Sequence, residues 1–279
     1  MEVGQMSGNL GLSYEERAKM AENPAGRALF SLMAEKKTNL ALSDDETDPE
    51  TFLALAEKIG SEIAVLKTHI DILRDFSPSI TRRLSELAKE KGFLVFEDSK
   101  LADIGNTVRL QYAEGIYKIV EWANFINLHI VPGPGIIEGV SSVIKERKDG
   151  MPRGILILSQ MSSEGTMAFG AYTKRAVEMA NASKEAVAGH IGNGGDTAQL
   201  RELAGMVFAG HAILTPGIQI EAKGDKLGQR YTLPEEAVAA GSDCIIVGRG
   251  IYKAEDPLGA ARLYRERGWN AYLKRTGNE

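Results

Sequence analysis

Short apolar runs alternate along this chain with longer stretches in which apolar residues return every three or four positions. The runs predict strands over residues 39–43, 62–67, 93–98, 125–130, 154–159, 186–190, 211–215 and 244–247. The longer stretches predict helices over 49–59, 79–91, 107–122, 136–146, 173–181, 234–239 and 258–273, and the least regular link is the one around 197–203. The two periods are distinguishable because side chains alternate across a strand but return to one helix face every 3.6 residues. The strand runs are apolar almost throughout, as expected of a parallel sheet covered on both faces. Eight strand-then-helix units predict an α/β fold, a (β/α)8 TIM barrel, because eight is the number that closes. Residues 1–36 read as an N-terminal helical extension. No repeat, low-complexity tract or Pro/Gly-rich linker divides the chain, so one domain over 1–279 is expected.

Composition narrows the function more than the fold. The chain has 279 residues, enough for one barrel, with 43% hydrophobic and 25% charged residues. Its net charge of −5 argues against a general nucleic-acid or membrane-surface partner, since both need a basic footprint. No apolar run reaches the length of a membrane span, and the first twenty residues lack the basic-then-apolar pattern of a signal peptide. A single cysteine fits a reducing compartment, so a cytoplasmic location is expected.

The candidate chemistry lies where strands end, at the face on which barrels build active sites. Ser43-Asp44-Asp45 ends the first strand, Lys67-Thr68-His69 the second, and Asp98-Ser99-Lys100 the third. Asp98 and Lys100, two apart, share a face of an extended chain, and Asp103 follows three residues later. A lysine between carboxylates keeps its proton and offers it in a fixed direction, which suits making and then protonating a carbanion. The far end of the chain supplies an anion site. Thr215-Pro216-Gly217 follows the seventh strand, a long loop runs from Pro216 to Tyr231, and Gly248-Arg249-Gly250 follows the eighth. Glycines let backbone N–H groups approach phosphate oxygens, and Arg249 can grip them as a fork. The length of that loop suggests a lid.

From about Asn39 to Arg275 the chain resembles the orotidine 5′-phosphate decarboxylase family, of the kind found in fungi and in the animal bifunctional enzyme. The marks are Leu66-Lys67-Thr68-His69-Ile70-Asp71, the run from Phe96-Glu97-Asp98-Ser99-Lys100 through Asp103-Ile104-Gly105-Asn106-Thr107, Met161-Ser162-Ser163, Leu214-Thr215-Pro216-Gly217 and Ile246-Val247-Gly248-Arg249-Gly250. The resemblance implies a stand-alone decarboxylase that converts orotidine 5′-phosphate to uridine 5′-phosphate and CO2 without cofactor or metal. It implies Lys100 as the proton donor to C6, Asp98 beside the leaving carboxylate, and a homodimer in which Asp103 and Thr107 serve the neighbouring subunit's site. Lys67 and Asp45 would hold ribose hydroxyls. Ser162 and Gln229 would meet the pyrimidine, while Gln229, Tyr231 and Arg249 would bind phosphate. Ser43, Pro216 and Gly248 complete the implied substrate-binding set.

Some residues depart from that pattern. Asp44 is an extra acid where relatives carry an apolar residue, so either aspartate can be the ribose ligand, with spacing to Lys67 favouring Asp45. Gln160 stands where many relatives carry Glu. The glycine-rich Ile191-Gly192-Asn193-Gly194-Gly195-Asp196 reads as a turn rather than a second phosphate site. Cys244 reads as a core thiol, and His129 and His190 as hydrogen-bonded structural residues. Two alternatives stand beside the main one. A related barrel uses Asp-x-Lys-x-x-Asp to hold Mg²⁺ and decarboxylate a sugar-acid phosphate, and a barrel of this kind can survive as a non-catalytic phosphate sensor. Lys67-Thr68-His69 and the Gln229/Tyr231 loop favour the nucleotide enzyme over the first. Intact Lys100 and aspartates weigh against the second.

Overall fold

The computed structural model describes residues 9–220 and 231–278. Two helices come first, α1 (Tyr14–Met20) and α2 (Pro24–Lys36). Strands and helices then alternate: β1 (Leu40–Asp44), α3 (Pro49–Ile59), β2 (Val65–Thr68), α4 (Pro78–Lys91), β3 (Leu94–Leu101), α5 (Gly105–Ala113), β4 (Phe125–Leu128) and α6 (Gly135–Glu146). The second half is β5 (Gly154–Leu158), α7 (Ala171–Asn181), β6 (Val187–Ile191), α8 (Thr197–Met206), β7 (Ala212–Thr215), α9 (Pro234–Ala239), β8 (Cys244–Val247), α10 (Arg249–Tyr252) and α11 (Pro257–Thr276). The eight strands are parallel and closed, with β1 paired to both β2 and β8. All eight predicted strands are present, shifted by a few residues at their ends. Apart from the rim end of β3, their residues are buried on both faces, which is why the sequence shows runs rather than alternation.

The differences from expectation have local causes. The N-terminal extension is two helices, each started by its own cap: Ser13 closes a capping box with Glu16, and Asn23 accepts from the amides of Ala25 and Gly26 ahead of Pro24. The predicted helix over 107–122 begins at Gly105 and stops at Ala113, ahead of Gly115, and the chain turns again only as a 3₁₀ turn at Ile119–Glu121, entered through a left-handed Lys118. The link read as irregular is the regular helix α8, capped by Asp196, whose carboxylate accepts from Ala198 and Gln199.

α1 and α2 close the floor of the barrel, at the strands' N-terminal ends. The Asn23 amide donates to the carbonyls of Arg153 and Glu185, just before β5 and β6. The Tyr14 ring stacks on Tyr272 at 3.9 Å, and its hydroxyl donates to the Asp243 carbonyl. Arg17 pairs with the Asp243 carboxylate and donates to the His211 carbonyl, while Arg275 of α11 reaches the same carboxylate at 3.2 Å. With the floor plugged, the strands' C-terminal rim is the open end. Cys244 is fully buried in β8, as a core thiol should be. Among the described residues no helix is long and apolar enough to cross a membrane.

Candidate active site

The rim holds a cavity of about 280 Å³. Its lining follows strand parity: Ser43 and Asp45 from β1, Lys67 and His69 from β2, Phe96, Asp98 and Lys100 from β3, Leu158, Gln160 and Ser162 from β5, Ile246 and Gly248 from β8. Parity also separates the two aspartates left open by the sequence. Asp45 faces the cavity, whereas Asp44 is buried away from it, and burial pushes its carboxyl up to about 8. Glu97, on the same outward face as Asp44, is likewise raised to about 8 by burial and accepts from Ser99 and the Ile70 amide.

Asp98 is the hub of the charged array. Its Oδ2 meets Lys67 Nζ at 2.8 Å and His69 Nε2 at 3.1 Å, and its Oδ1 meets Lys100 Nζ at 2.8 Å and the Asn127 amide. Burial alone would raise this carboxyl, but Lys67, His69 and Lys100 outweigh it and hold it well below the usual carboxylate range. The other nitrogen of His69 lies 2.9 Å from Asp45 Oδ1. A ring with a carboxylate at each nitrogen is satisfied only when both nitrogens carry protons. Burial opposes the charge on His69, yet the bonds to Asp45 and Asp98 prevail and raise its pKa. Asp45 is lowered in turn, against burial, by His69 and Lys67.

Lys100 reaches this cluster from an irregular backbone. Between Glu97 and Leu101 the pairing of β3 with β4 slips, and Lys100 sits at φ 50°. Left-handed backbone costs a residue with a side chain about 1–2 kcal/mol. Asn127 of β4 holds it there: its Oδ1 accepts from the Lys100 amide at 2.7 Å, while its Nδ2 donates to Asp98. The pair of residues expected to share a face of an extended strand is therefore brought together by a bulge.

The opposite wall is built from the loops after β7 and β8. Pro216 and Gly217 line the cavity, with Gly217 at φ 81°. Gln219 donates to the Thr232 carbonyl and Thr232 to that of Gly217, so the two feet of the long loop are tied together. Gln229 and its neighbours from 221 to 230 lie outside the described residues. The Arg249 guanidinium donates to the Tyr231 hydroxyl at the mouth of the cavity.

Of the residues singled out in the sequence, Ser43, Asp45, Lys67, Asp98, Lys100, Ser162, Pro216, Tyr231, Gly248 and Arg249 line this one cavity. Asp103 and Thr107 do not. Asp103 is exposed beyond β3, where its carboxylate accepts from the neighbouring Ile104 amide. Two participants were not anticipated. His69 could have been found from strand parity, since it lies two residues after Lys67. Asn127 carries no sequence signal, because its role depends on which residue of β4 lies opposite the bulge. His129 contacts the Tyr172 hydroxyl at 3.0 Å and His190 contacts Ser159 Oγ at 2.7 Å, in keeping with structural roles. The segment 191–196 forms a turn bonded to Gln160 and Gln199. Among the described residues no group of three or more His, Cys, Asp or Glu is arranged to hold a metal ion.

A family model described as "Orotidine 5'-phosphate decarboxylase / HUMPS family" matches residues 38–264. The orotidine 5'-phosphate decarboxylase of Emericella nidulans is 47% identical over 274 residues, covering 98% of this chain and all of that protein. That of Phycomyces blakesleeanus is 46% identical, covering 94% of this chain and 95% of its own. Among solved structures, the orotidine 5'-phosphate decarboxylase of Pyrococcus horikoshii superposes with a TM-score of 0.64 at 27% identity, covering 82% of this chain and 98% of that one. The Methanocaldococcus jannaschii enzyme, complexed with the inhibitor BMP, shares the fold with a TM-score of 0.66 at 23% identity, over 82% of this chain and 98% of its own. With motif order, barrel and rim array all in agreement, the chain belongs to the orotidine 5′-phosphate decarboxylase / HUMPS family.

Proposed function

We propose that the rim cavity binds orotidine 5′-phosphate and that Lys100 protonates C6 as CO2 departs, yielding uridine 5′-phosphate. Family membership makes the chain a decarboxylase of pyrimidine biosynthesis, and the residue roles are our reading of the cavity. The observation that carries it is the Lys100–Asp98–Lys67 array, an ammonium group held in fixed geometry at the wall of a nucleotide-sized cavity. In the reaction the bond from C6 to the carboxyl carbon breaks, and its electron pair stays on C6. The Lys100 ammonium stabilises that charge as it forms and then transfers its proton, to be reprotonated from solvent. Electrons balance without an external acceptor. Asp98, pinned on both oxygens, places negative charge near the leaving carboxylate. Lys67, Asp45 and Ser43 hold the ribose. Ser162, Pro216 and Gln229 meet the base, and Gln229, Tyr231, Gly248 and Arg249 bind the phosphate. We place the reaction in the cytoplasm, where a lone buried thiol stays reduced. An absorbance assay with orotidine 5′-phosphate, run with and without EDTA, tests this reading. Equal turnover in both supports it, whereas activity lost to EDTA and restored by Mg²⁺ favours the metal-dependent relative.

We further propose a homodimer in which Asp103 and Thr107 complete the neighbouring subunit's site. Supporting it, neither residue lines its own cavity, and large apolar side chains are exposed at Ile104 (63%), next to Asp103, and at Val131 (76%), after β4. Covering these two side chains would be one gain of such a dimer. Mixing inactive Lys100→Ala and Asp103→Ala proteins under subunit exchange tests it. One site of each hybrid then has both residues intact, so roughly a quarter of all sites should revive. Hybrids that form without regaining activity would show that Asp103 serves its own subunit.

A further inference from the structure

Two amide side chains are buried in the cavity wall away from the charged array. Gln160 is 1% exposed and Asn193 is wholly buried. Gln160 follows β5 and lines the cavity with Ser162 and Pro216. Its Oε1 accepts from the Asn193 backbone N–H at 3.0 Å, and its Nε2 donates to the Gln199 backbone carbonyl at 2.8 Å. In this chain one partner can only donate and the other can only accept, so with these partners residue 160 must do both, unlike in the relatives that carry Glu there. An amide does so, and an ionised carboxylate cannot. Asn193 extends the connection. Its Nδ2 donates to Gln199 Oε1 at 3.1 Å, and its Oδ1 accepts from the Gly195 amide at 2.8 Å. Between them, Gly194 packs on the far wall so closely that a Cβ there would lie 1.9 Å from the Pro216 carbonyl oxygen. The same three strand ends are joined by backbone: Gln160 N–H donates to the Ile191 carbonyl and Gly192 N–H to that of Leu214.

We propose that Gln160 is a positioning residue for the nucleotide base. Through Asn193 and Gly194 it fixes Pro216, and through its own backbone it fixes Ser162, so the base end of the cavity has one shape before substrate arrives. The inference rests on reading the cavity as the nucleotide site. Gln160 acts through neutral hydrogen bonds. The charged and titratable groups around it are Asp45, Lys67, His69, Asp98, Lys100, Tyr231 and Arg249 on the same cavity, with Asp196 bound to the first amides of α8 on the outer side.

The substitution Gln160→Glu turns this requirement into a pH dependence. With no cation among its direct partners, the new carboxyl is protonated at low pH, where it supplies one donor and one acceptor as the amide does. When it ionises, it loses the donor and sets negative charge against the Gln199 carbonyl. Relative to wild type at the same pH, KM for orotidine 5′-phosphate and the calorimetric Kd for uridine 5′-phosphate should be within about twofold near pH 5.5 and raised about tenfold or more near pH 8. Gly194→Ala, which displaces Pro216 without adding a titrating group, should weaken uridine 5′-phosphate binding at every pH and keeps the test open if the first variant does not fold. Wild-type binding by Gly194→Ala, or by Gln160→Glu near pH 8, overturns the proposal. A wild-type protein that binds uridine 5′-phosphate but does not turn over orotidine 5′-phosphate would instead overturn the catalytic reading.

Discussion

Two charged clusters lie buried at opposite ends of the barrel, and they are put to different use. At the floor, the Asp243 carboxylate accepts from Arg17, Arg275 and the Ile213 amide, all inside closed packing. At the rim, Asp98 gathers Lys67, His69, Lys100 and Asn127, but Lys100 also faces the cavity. The difference is where the cations end. At the floor they meet only protein, so the cluster fastens helices. At the rim one ammonium is pinned from behind and open in front, so it can act on a bound molecule. Ion pairs alone therefore do not mark a catalytic site; an ion pair with one partner facing an occupiable space does.

Breaking each cluster should separate the two roles. Lys100→Ala should lower kcat by at least about 10⁴-fold while leaving the melting temperature close to wild type, because it removes the proton and the charge stabilisation together. Near-normal turnover by the folded variant would remove Lys100 from the mechanism. Asp243→Ala should do the reverse. Leaving two buried arginines without their carboxylate should cost about 3–5 kcal/mol of stability in denaturant titrations, with kcat per folded molecule retained. Arg249→Ala tests the phosphate end of the cavity. It should cost about 2–5 kcal/mol in kcat/KM for orotidine 5′-phosphate and little for a substrate lacking the phosphate. Equal damage to both substrates would mean that Arg249 acts through the fold.

The histidines sharpen the contrast with a smaller effect. His190 and His211 lie away from the cavity, and burial lowers both, His211 to about 3. Their folded values lie below the ordinary 6.5. Each contribution is therefore complete above about pH 6.5 and is lost as pH falls toward the folded value, by roughly 1.4 kcal/mol per pH unit for each histidine. His69 is raised instead, so its contribution is complete below the unfolded value and is lost as pH rises through the folded one. In thermal melts, His211→Gln should flatten the acid side of the stability profile and His69→Gln the side above neutrality. Changes on the same side for both variants would contradict the assignment.

The fold was legible because each strand opens as a mostly apolar run and most rim residues stand where such a run ends. Most of the site followed from the same rule, as Asp45, Lys67 and Asp98 are inward-facing residues at strand ends. What stayed hidden depends on pairing between strands. No local pattern places Asn127 opposite the bulge, or shows that Lys100 reaches Asp98 through a left-handed residue. The cap of α8 was readable in Asp196, but the glycines before it obscured the helix start. Gln160 was visible only as a departure until its partners on the β6 loop were in place.

The floor clamp also bears on the order in which the molecule can be made. Arg17 and Tyr14 are among the earliest described residues to leave the ribosome, and their mates Asp243, Tyr272 and Arg275 are among the last. Until β8 and α11 have emerged, α1 can pack on α2 through Phe30 but lacks its Asp243, Tyr272 and Arg275 partners, and β1 lacks its neighbour β8. A nascent chain thus carries α1 packed on α2 but unclamped to the rest of the floor through nearly the whole of translation. The longest-range contacts form together, as one late closing event, and the window for engagement by a chaperone lasts until then.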